Sequence, residues 1–352
     1  MVSKCYYRAH GRDCAGSRLI QDSMRTFKFV LLAVLLAFVT AIASVSWFTA
    51  RHLPMRSDPT QFSIPSGASL RMAAQVIESA GIDLPAWQLV MLGRAMGRSA
   101  KIKAGSYEVE GGITALELLD KLTRGDVTQG ELVLVEGKNF RQLRALLNAH
   151  PDLAHDTQHL TDARILTLLG AKEAHPEGLF FPDTYLFNKG SSDIDVLRRA
   201  YRAMQPKLAA AWERRETTLP VKTPYELLIM ASIVEKETGL PADRPQVAAV
   251  FVNRLRRQMP LQTDPTVIYG LGERFDGNLR KVDLLTDTPW NTYTRVGLPP
   301  TPIAMPGLAS LQAAANPPPS DMLYFVARGD GSSQFSATLD EHNSAVARYQ
   351  KR

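Results

Sequence analysis

The hydrophobic pattern divides the chain into one long uncharged run and a succession of short amphipathic segments. Residues 29–50, FVLLAVLLAFVTAIASVSWFTA, carry no charge over 22 positions. A helix rising about 1.5 Å per residue needs roughly 20 apolar residues to cross a bilayer core, so this run predicts a transmembrane helix. Residues 51–61 (RHLPMRSDPTQ) turn polar, with two prolines, and read as a linker. A motif then recurs: a strand end, a glycine turn, and a helix with apolar positions three and four apart. Ile64-Pro65-Ser66-Gly67 leads into 70–80, Val109-Glu110-Gly111-Gly112 into 115–122, and more loosely Val135-Glu136-Gly137 into 140–147. GLFFPDTYLF (178–187) is aromatic-dense around a Pro-Asp turn and reads as core rather than as a sugar-stacking platform. A basic helix is expected over 247–257, a hairpin over Gly329-Asp330-Gly331, and a closing helix over 340–350.

The sharpest helix start is Thr223-Pro224-Tyr225-Glu226. Thr at the N-cap, Pro next and Glu at the third helical position make a capping box, and Gly239 and Pro241 supply a stop. Between them Leu227, Leu228, Ile229, Met230, Ile233 and Val234 cover nearly the whole circumference, the pattern of a buried helix. On that wheel Glu235 falls between Leu228 and Ala231, and Glu237 between Met230 and Ile233. Carboxylates in apolar surroundings need a partner or a purpose, and burial raises a carboxyl pKa toward what a general acid requires near neutral pH. Two readings stand at this point: a catalytic helix, or an exposed helix end with both glutamates solvated or paired to Lys236 and Arg244. The pattern also does not choose between Glu235 and Glu237.

Charge orients the first segment. The 28 residues before the apolar run hold six basic residues against Asp13 and Asp22, and positive flanks stay cytoplasmic. About 300 residues are therefore expected outside the cytoplasm on one tether. The rival expectation is a cleaved signal peptide starting at Met24, with Ala41-Ile42-Ala43 as the cleavage site. The run continues through Trp47 and Phe48, long for a signal peptide. The rest of the chain carries 35 basic against 33 acidic residues, so a net charge of +6 marks topology rather than a nucleic-acid footprint.

Both cysteines, Cys5 and Cys14, precede the run, which leaves the exported part without disulfides or thiolate metal ligands. His155 and His159 are spaced like zinc ligands on a helix, with no third ligand at a recognisable spacing, and a solvated helix or loop is the better reading. No nucleophile elbow, phosphate-binding loop or dinucleotide fingerprint is present in a plausible context. Further on, Gln262-Thr263-Asp264-Pro265 places Asp264 before a proline, where an extended backbone is expected. Trp290-Asn291-Thr292-Tyr293 and the proline-dense 297–303 form loop with hydrogen-bonding groups and aromatics, suited to a polar, ring-shaped ligand.

Taken in order, these segments resemble the endolytic murein transglycosylases, the MltG or YceG-like family. The matching pieces are the anchor, Gly105-Ser106-Tyr107, Val135-Glu136-Gly137, Glu177-Gly178 through Phe181-Pro182-Asp183-Thr184-Tyr185, and Ala231-Ser232-Ile233-Val234-Glu235-Lys236-Glu237-Thr238. They continue with Phe251-Val252-Asn253-Arg254-Leu255, Leu261-Gln262-Thr263-Asp264-Pro265-Thr266-Val267-Ile268-Tyr269-Gly270, the stretch 293–307, Tyr324-Phe325-Val326 and Glu341-His342-Asn343. The resemblance covers nearly all of 25–352. It implies an α+β chain: a cytoplasmic tail (1–28), an inner-membrane helix (29–50), a linker (51–61), a LysM-like membrane-proximal domain (62–134) and a periplasmic α/β catalytic domain (135–352). The small strand–turn–helix units themselves also resemble LysM modules.

The implied activity is internal cleavage of nascent peptidoglycan strands at the bond from N-acetylmuramic acid to N-acetylglucosamine, leaving 1,6-anhydro ends and ending elongation. The family's catalytic glutamate maps to Glu235. Gln262, Thr263, Asp264, Asn291 and Tyr293 are the candidates for lining the cleft. No cofactor or metal is implied. The partners implied are glycan strands, the membrane and the synthases of the same polymer, with no nucleic acid. Two alternatives stay open: a muramidase using Asp264 as base or nucleophile, and a noncatalytic, membrane-tethered glycan-binding scaffold.

Overall fold

The computed structural model describes residues 13–65, 67–237 and 240–350, with side chains throughout from Val30 onward. Cys5, Ser66, Thr238, the expected helix stop Gly239 and the first part of the basic tail lie outside the described residues, as does the side chain of Cys14. The chain forms two compact units that divide between Thr128 and Gln129.

The first unit begins with helix α1 (Asp13–Ala50). Within it Val30–Ala50 is long and apolar enough to cross a membrane, and none of that window is buried against the protein. Strand β1 (Thr60–Ile64) alternates buried and exposed residues, as a half-buried strand must. Then follow α2 (Leu70–Ser79), α3 (Ala86–Ala95), β2 (Gly105–Val109) and α4 (Ala115–Arg124). β1 and β2 pair antiparallel, Thr60 opposite Val109 and Ile64 opposite Gly105. Phe62 and Tyr107 stack across the pair with ring centroids 5.7 Å apart. With Ile64, Ala73, Ile77, Leu118, Leu119 and Leu122 they form one apolar core. Helix starts follow local chemistry: Ser69 caps α2, and Thr114 with Glu117 closes a capping box on α4. The stretch expected as a linker is packed into this unit. Leu53 is buried, its amide donates to the Ile113 carbonyl at 2.8 Å, and Arg56 N–H donates to Gly81. Its prolines and charges suggested a free segment, but one buried leucine and these backbone bonds hold it down.

The second unit runs β3 (Gln129–Val133), α5 (Phe140–Asn148), β4 (Leu153–Ala154), α6 (Asp162–Leu169), β5 (Thr184–Asn188), β6 (Ser191–Ser192), α7 (Asp193–Glu213) and α8 (Pro224–Glu237). It continues with α9 (Arg244–Arg256), α10 (Asp264–Leu271), α11 (Lys281–Leu285), α12 (Leu308–Ala315), β7 (Tyr324–Ala327), β8 (Ser333–Ser336) and α13 (Leu339–Tyr349). Its strands pair two by two: β3 with β5 antiparallel, β4 with β6 parallel, and β7 with β8 as the expected hairpin. Both units are thus mixed α and β. The aromatic run supplies core: Leu179, Phe180, Phe181, Tyr185 and Phe187 all join one buried cluster.

α8 is the centre of this unit, with α7, α9, α10 and α12 all packing on it. That explains its apolar circumference: Leu227 through Val234 are each at most 3% exposed. Its start is as expected. Thr223 Oγ1 accepts the Glu226 amide at 3.1 Å, and the Glu226 carboxylate accepts the Lys222 N–H, one residue upstream of the usual reciprocal partner. Thr223→Ala should therefore destabilise the chain by about 1 kcal/mol without altering the chemistry, as read from the denaturant midpoint beside a strand-cleavage assay.

Candidate active site

Glu235 sits in the last turn of α8 with its side chain 7% exposed. Its surroundings are assembled from four segments. The turn after β3 contributes Glu136 and Gly137, the latter in the left-handed region at φ 75° that glycine adopts freely. Gly137 N–H donates to the Met305 carbonyl at 2.9 Å, and Met305 N–H donates to Lys138 at 2.8 Å. The turn and the 302–307 loop are thereby stitched together. Ser232, fully buried inside α8, accepts the Ile303 amide at 3.0 Å, which fastens the same loop to the helix. The loop ends at Gly307, whose N–H donates to Glu235 Oε2 at 2.9 Å at the start of α12. From the start of α9, Arg244 brings Nη2 within 3.7 Å of Glu235 Oε1, with only 12% of its side chain exposed.

Glu136 completes this cluster. A Cβ on Gly307 would collide with the Glu136 carboxylate, so that carboxylate lies directly against the glycine that holds Glu235. Loss of water at Glu136 raises its pKa, the neighbouring charge of Glu235 raises it further, and Arg244 opposes both. The sequence offered Glu136 only as part of a matching motif. Its role needed three segments to converge, which no local spacing reports.

Glu177 is a second feature the sequence did not single out. It is 4% exposed, and the Phe140 amide donates to both of its oxygens at 3.0 and 3.1 Å. Tyr269 O–H donates to Oε2 at 3.0 Å. Burial pushes its carboxyl up to about 7 despite these bonds. Glu177 so anchors the start of α5 behind the Glu136 turn, and Gly178 packs against Pro302 and Ala304 of the stitched loop. The one available signal was a glutamate immediately before a glycine and an aromatic core run.

The remaining candidates gather round Glu237. Two residues along a helix lie about 200° apart, so Glu237 faces away from Glu235. Thr263 Oγ1 donates to Glu237 Oε1. Thr263 itself is buried, and its amide donates to Thr292 Oγ1 at 3.1 Å. Gln262, exposed at φ 51°, donates its amide to the Thr292 carbonyl and accepts from Arg254. Tyr293 O–H donates to Asp264, and burial with that carboxylate raises the phenol's pKa. Asp264 begins α10 instead of standing extended. The proline behind it falls in the first turn, where its missing N–H leaves no helical bond unmade. Asn291 is fully buried, and its amide donates to the carbonyls of Leu284 and Thr286 at 3.0 and 2.7 Å. It therefore shapes the loop beneath Tyr293. His155 and His159 lie in a turn segment, not on a helix face, and no metal-sized group of His, Cys, Asp or Glu occurs among the described residues.

Burial pushes the Glu237 carboxyl up to about 7, with Asp264 adding and Thr263 and Arg254 opposing. Its folded value thus exceeds its unfolded one, so its contribution is fully present below about pH 4.5 and is lost as pH rises through about 7. Glu237→Gln should flatten this slope, by on the order of 3 kcal/mol between the two limits. Chemical denaturation of both forms across that range checks it.

Residues 62–348 match the model of the YceG-like family. The chain belongs to the YceG-like family. A relative from Bacillus subtilis (strain 168), named "Endolytic murein transglycosylase", is 32% identical over 82% of this chain and 84% of its own length. One of the same name from Streptococcus pneumoniae serotype 2 is 27% identical over 89% of this chain, which spans 64% of that protein. A crystal structure of a YceG-like protein from Listeria monocytogenes superposes with a TM-score of 0.52 at 30% identity, covering 82% of this chain and 99% of that one.

Proposed function

We propose that this YceG-like chain is an endolytic murein transglycosylase, with Glu235 as its acid and then its base. One observation carries this beyond the family name: the Glu235 carboxylate is enclosed by a backbone amide, a guanidinium and a second carboxylate. That is a setting built to handle a proton and a change of charge. Glu237 is committed to Thr263 on the opposite face, which favours Glu235 of the two.

Glu235 donates its proton to the glycosidic oxygen as the bond from the muramic C1 breaks, and positive charge develops at that carbon. The anionic carboxylate then takes the proton of the muramic C6 hydroxyl, whose oxygen bonds to C1 and closes the anhydro ring. The nucleophile comes from the sugar, so water is not consumed. Gln262, Asp264 and Tyr293 supply exposed or half-buried polar groups on the Glu237 side of the α8 end, away from the Glu235 carboxylate, so their part is to hold sugars of the strand beyond the scissile bond, while Thr263 and Asn291 hold their loops.

The first unit is read as the LysM-like, membrane-proximal module, from its strand–turn–helix units, and Val30–Ala50 as the anchor. The basic flank orients the N-terminus to the cytoplasm and the catalytic unit to the periplasm, where strand synthases are the fitting partners. A cytoplasm-only fluorescent reporter should be dark after Arg352 and bright before Met24; the reverse pattern would sink this orientation. For the activity, purified uncrosslinked strands should yield shorter strands with anhydro ends, from internal cuts. Reducing ends instead, together with an acid limb of activity removed by Asp264→Asn, would favour a muramidase.

A further inference from the structure

A groove of about 560 Å³ opens between the end of α7 and the helices α9 and α12, within the roughly 300–1,000 Å³ typical of ligand sites. Ala309, Gln312, Ala313 and Asn316 follow one another at three- and four-residue spacing, so a single face of α12 makes one wall. Pro245 of α9 joins the two alanines in an apolar strip. Gln312 and Asn316 stand exposed, and their side-chain amides make no hydrogen bond among the described residues. Arg214, directly after α7, is exposed and has no side-chain partner among the described residues. Glu213 and Glu216 flank it in sequence without lining the groove, and Glu216 is taken by Arg256 at 3.2 Å. Arg244 is the second cation of the groove, and no described Asp or Glu lines it. Arg244 also belongs to the site beside Glu235. Its Nη2 reaches that carboxylate only at 3.7 Å, and its buried Nε has no hydrogen-bond partner. Gly307, which donates to Glu235, precedes Ala309 by two residues. The groove is thus continuous with the site, and two guanidinium groups without a lining carboxylate favour an anion in it.

We propose that this groove binds the short acidic peptide that peptidoglycan carries on the lactyl group of its muramic residues, so that the chain selects peptide-bearing strands over bare glycan. This rests on glycan cleavage at Glu235. The muramic ring whose C1 meets Glu235 bears its peptide on the same ring, so the peptide begins beside that carboxylate and needs a path out along the protein. The groove that starts at Arg244 supplies the path. Arg214 and Arg244 offer planar sets of donors that match carboxylates. Pro245, Ala309 and Ala313 offer apolar surface to small side chains such as alanine methyl groups. The amides of Gln312 and Asn316 both donate and accept, as a peptide main chain requires. The lining holds no aromatic face on which a further sugar ring would stack, which favours the peptide over more glycan.

The test compares two substrates on the full-length protein: uncrosslinked strands with their peptides, and the same strands stripped by an amidase that cuts the bond from the lactyl group to the peptide. The wild type should cut peptide-bearing strands with a kcat/KM at least about ten-fold higher, the order expected from one charge-assisted hydrogen bond. Arg214→Glu replaces an exposed, unpaired side chain, so the fold should be kept. It should lose about ten-fold on peptide-bearing strands, mainly through KM, and match the wild type on bare ones. Arg214→Lys should keep most of the preference. Equal wild-type kcat/KM on the two substrates, or an equal loss on both in Arg214→Glu, would overturn the proposal. A second readout needs no cleavage. The free peptide released by the amidase, titrated into the wild type, should shift the side-chain amide NMR signals of Gln312 and Asn316, and should shift them less in Arg214→Glu. Signals that stay put at millimolar peptide, or that move equally with bare strands, would also overturn it. A wild type that cuts neither substrate yet shows these shifts would refute the transglycosylase reading and leave the peptide groove standing.

Discussion

Glu235→Gln is expected to lower strand cleavage by about a hundred- to ten-thousand-fold, the usual cost of removing a general acid–base group, while the chain stays folded. The amide oxygen of glutamine can still accept the Gly307 N–H, so the 302–307 loop keeps its anchor. Arg244 loses a long ion pair of 3.7 Å but retains the favourable field of Glu136, so no buried cation is left unopposed. Thermal unfolding beside the cleavage assay separates the two effects. A purified variant that cuts strands at near wild-type rate would refute the assignment, and Glu237 would be the next residue to replace.

Gly307→Ala should be the second large effect, and of a different kind. The position has φ −77°, which any residue adopts, so backbone strain is not at issue. The added methyl would fall where the Glu136 carboxylate lies. That carboxylate ends a flexible side chain and can swing out, which keeps the stability cost small, within about 1 kcal/mol. The site pays instead: Glu136 leaves Glu235 and the Gly307 amide shifts. Displacements of this size in a catalytic constellation cost on the order of a hundred-fold. In a Glu136→Ala background the same methyl no longer meets the Glu136 carboxylate, so Gly307→Ala should then add little. Equal losses in both backgrounds would show that the glycine matters for another reason.

Local signals were legible in the sequence wherever neighbouring residues set the structure. The Thr223 cap, the apolar wheel of α8, the hairpin around Gly329–Gly331 and the three strand–glycine–helix units all formed as their spacing required. Pairing between units was not legible. β1 takes β2 as its partner, whereas β3 reaches β5 some 55 residues on, a choice made by core packing that a local glycine turn does not encode. Leu53 shows the same limit, because its polar surroundings hid one contact that fixes the segment. Asp264 was misjudged because the rule for residues before proline yielded to a helix start.

The candidate site divides along the same line. Glu235 and Glu237 both stood out as carboxylates on an apolar helix, and both are largely buried. Their separation came only from tertiary partners, Gly307 and Arg244 for one and Thr263 for the other. Glu136 and Glu177 were hidden because what distinguishes them is a neighbour far away in the chain: Gly307 for the first, Phe140 and Tyr269 for the second.

Cleavage of purified glycan strands in heavy-oxygen water tests the internal-nucleophile mechanism most directly. The muramic C6 oxygen should close on C1, so fragments from the wild type should carry no solvent oxygen and should weigh one water less than hydrolysed ends. Glu235→Gln should release neither kind. Wild-type fragments that carry a heavy oxygen at the new muramic end would contradict the mechanism and identify water as the acceptor.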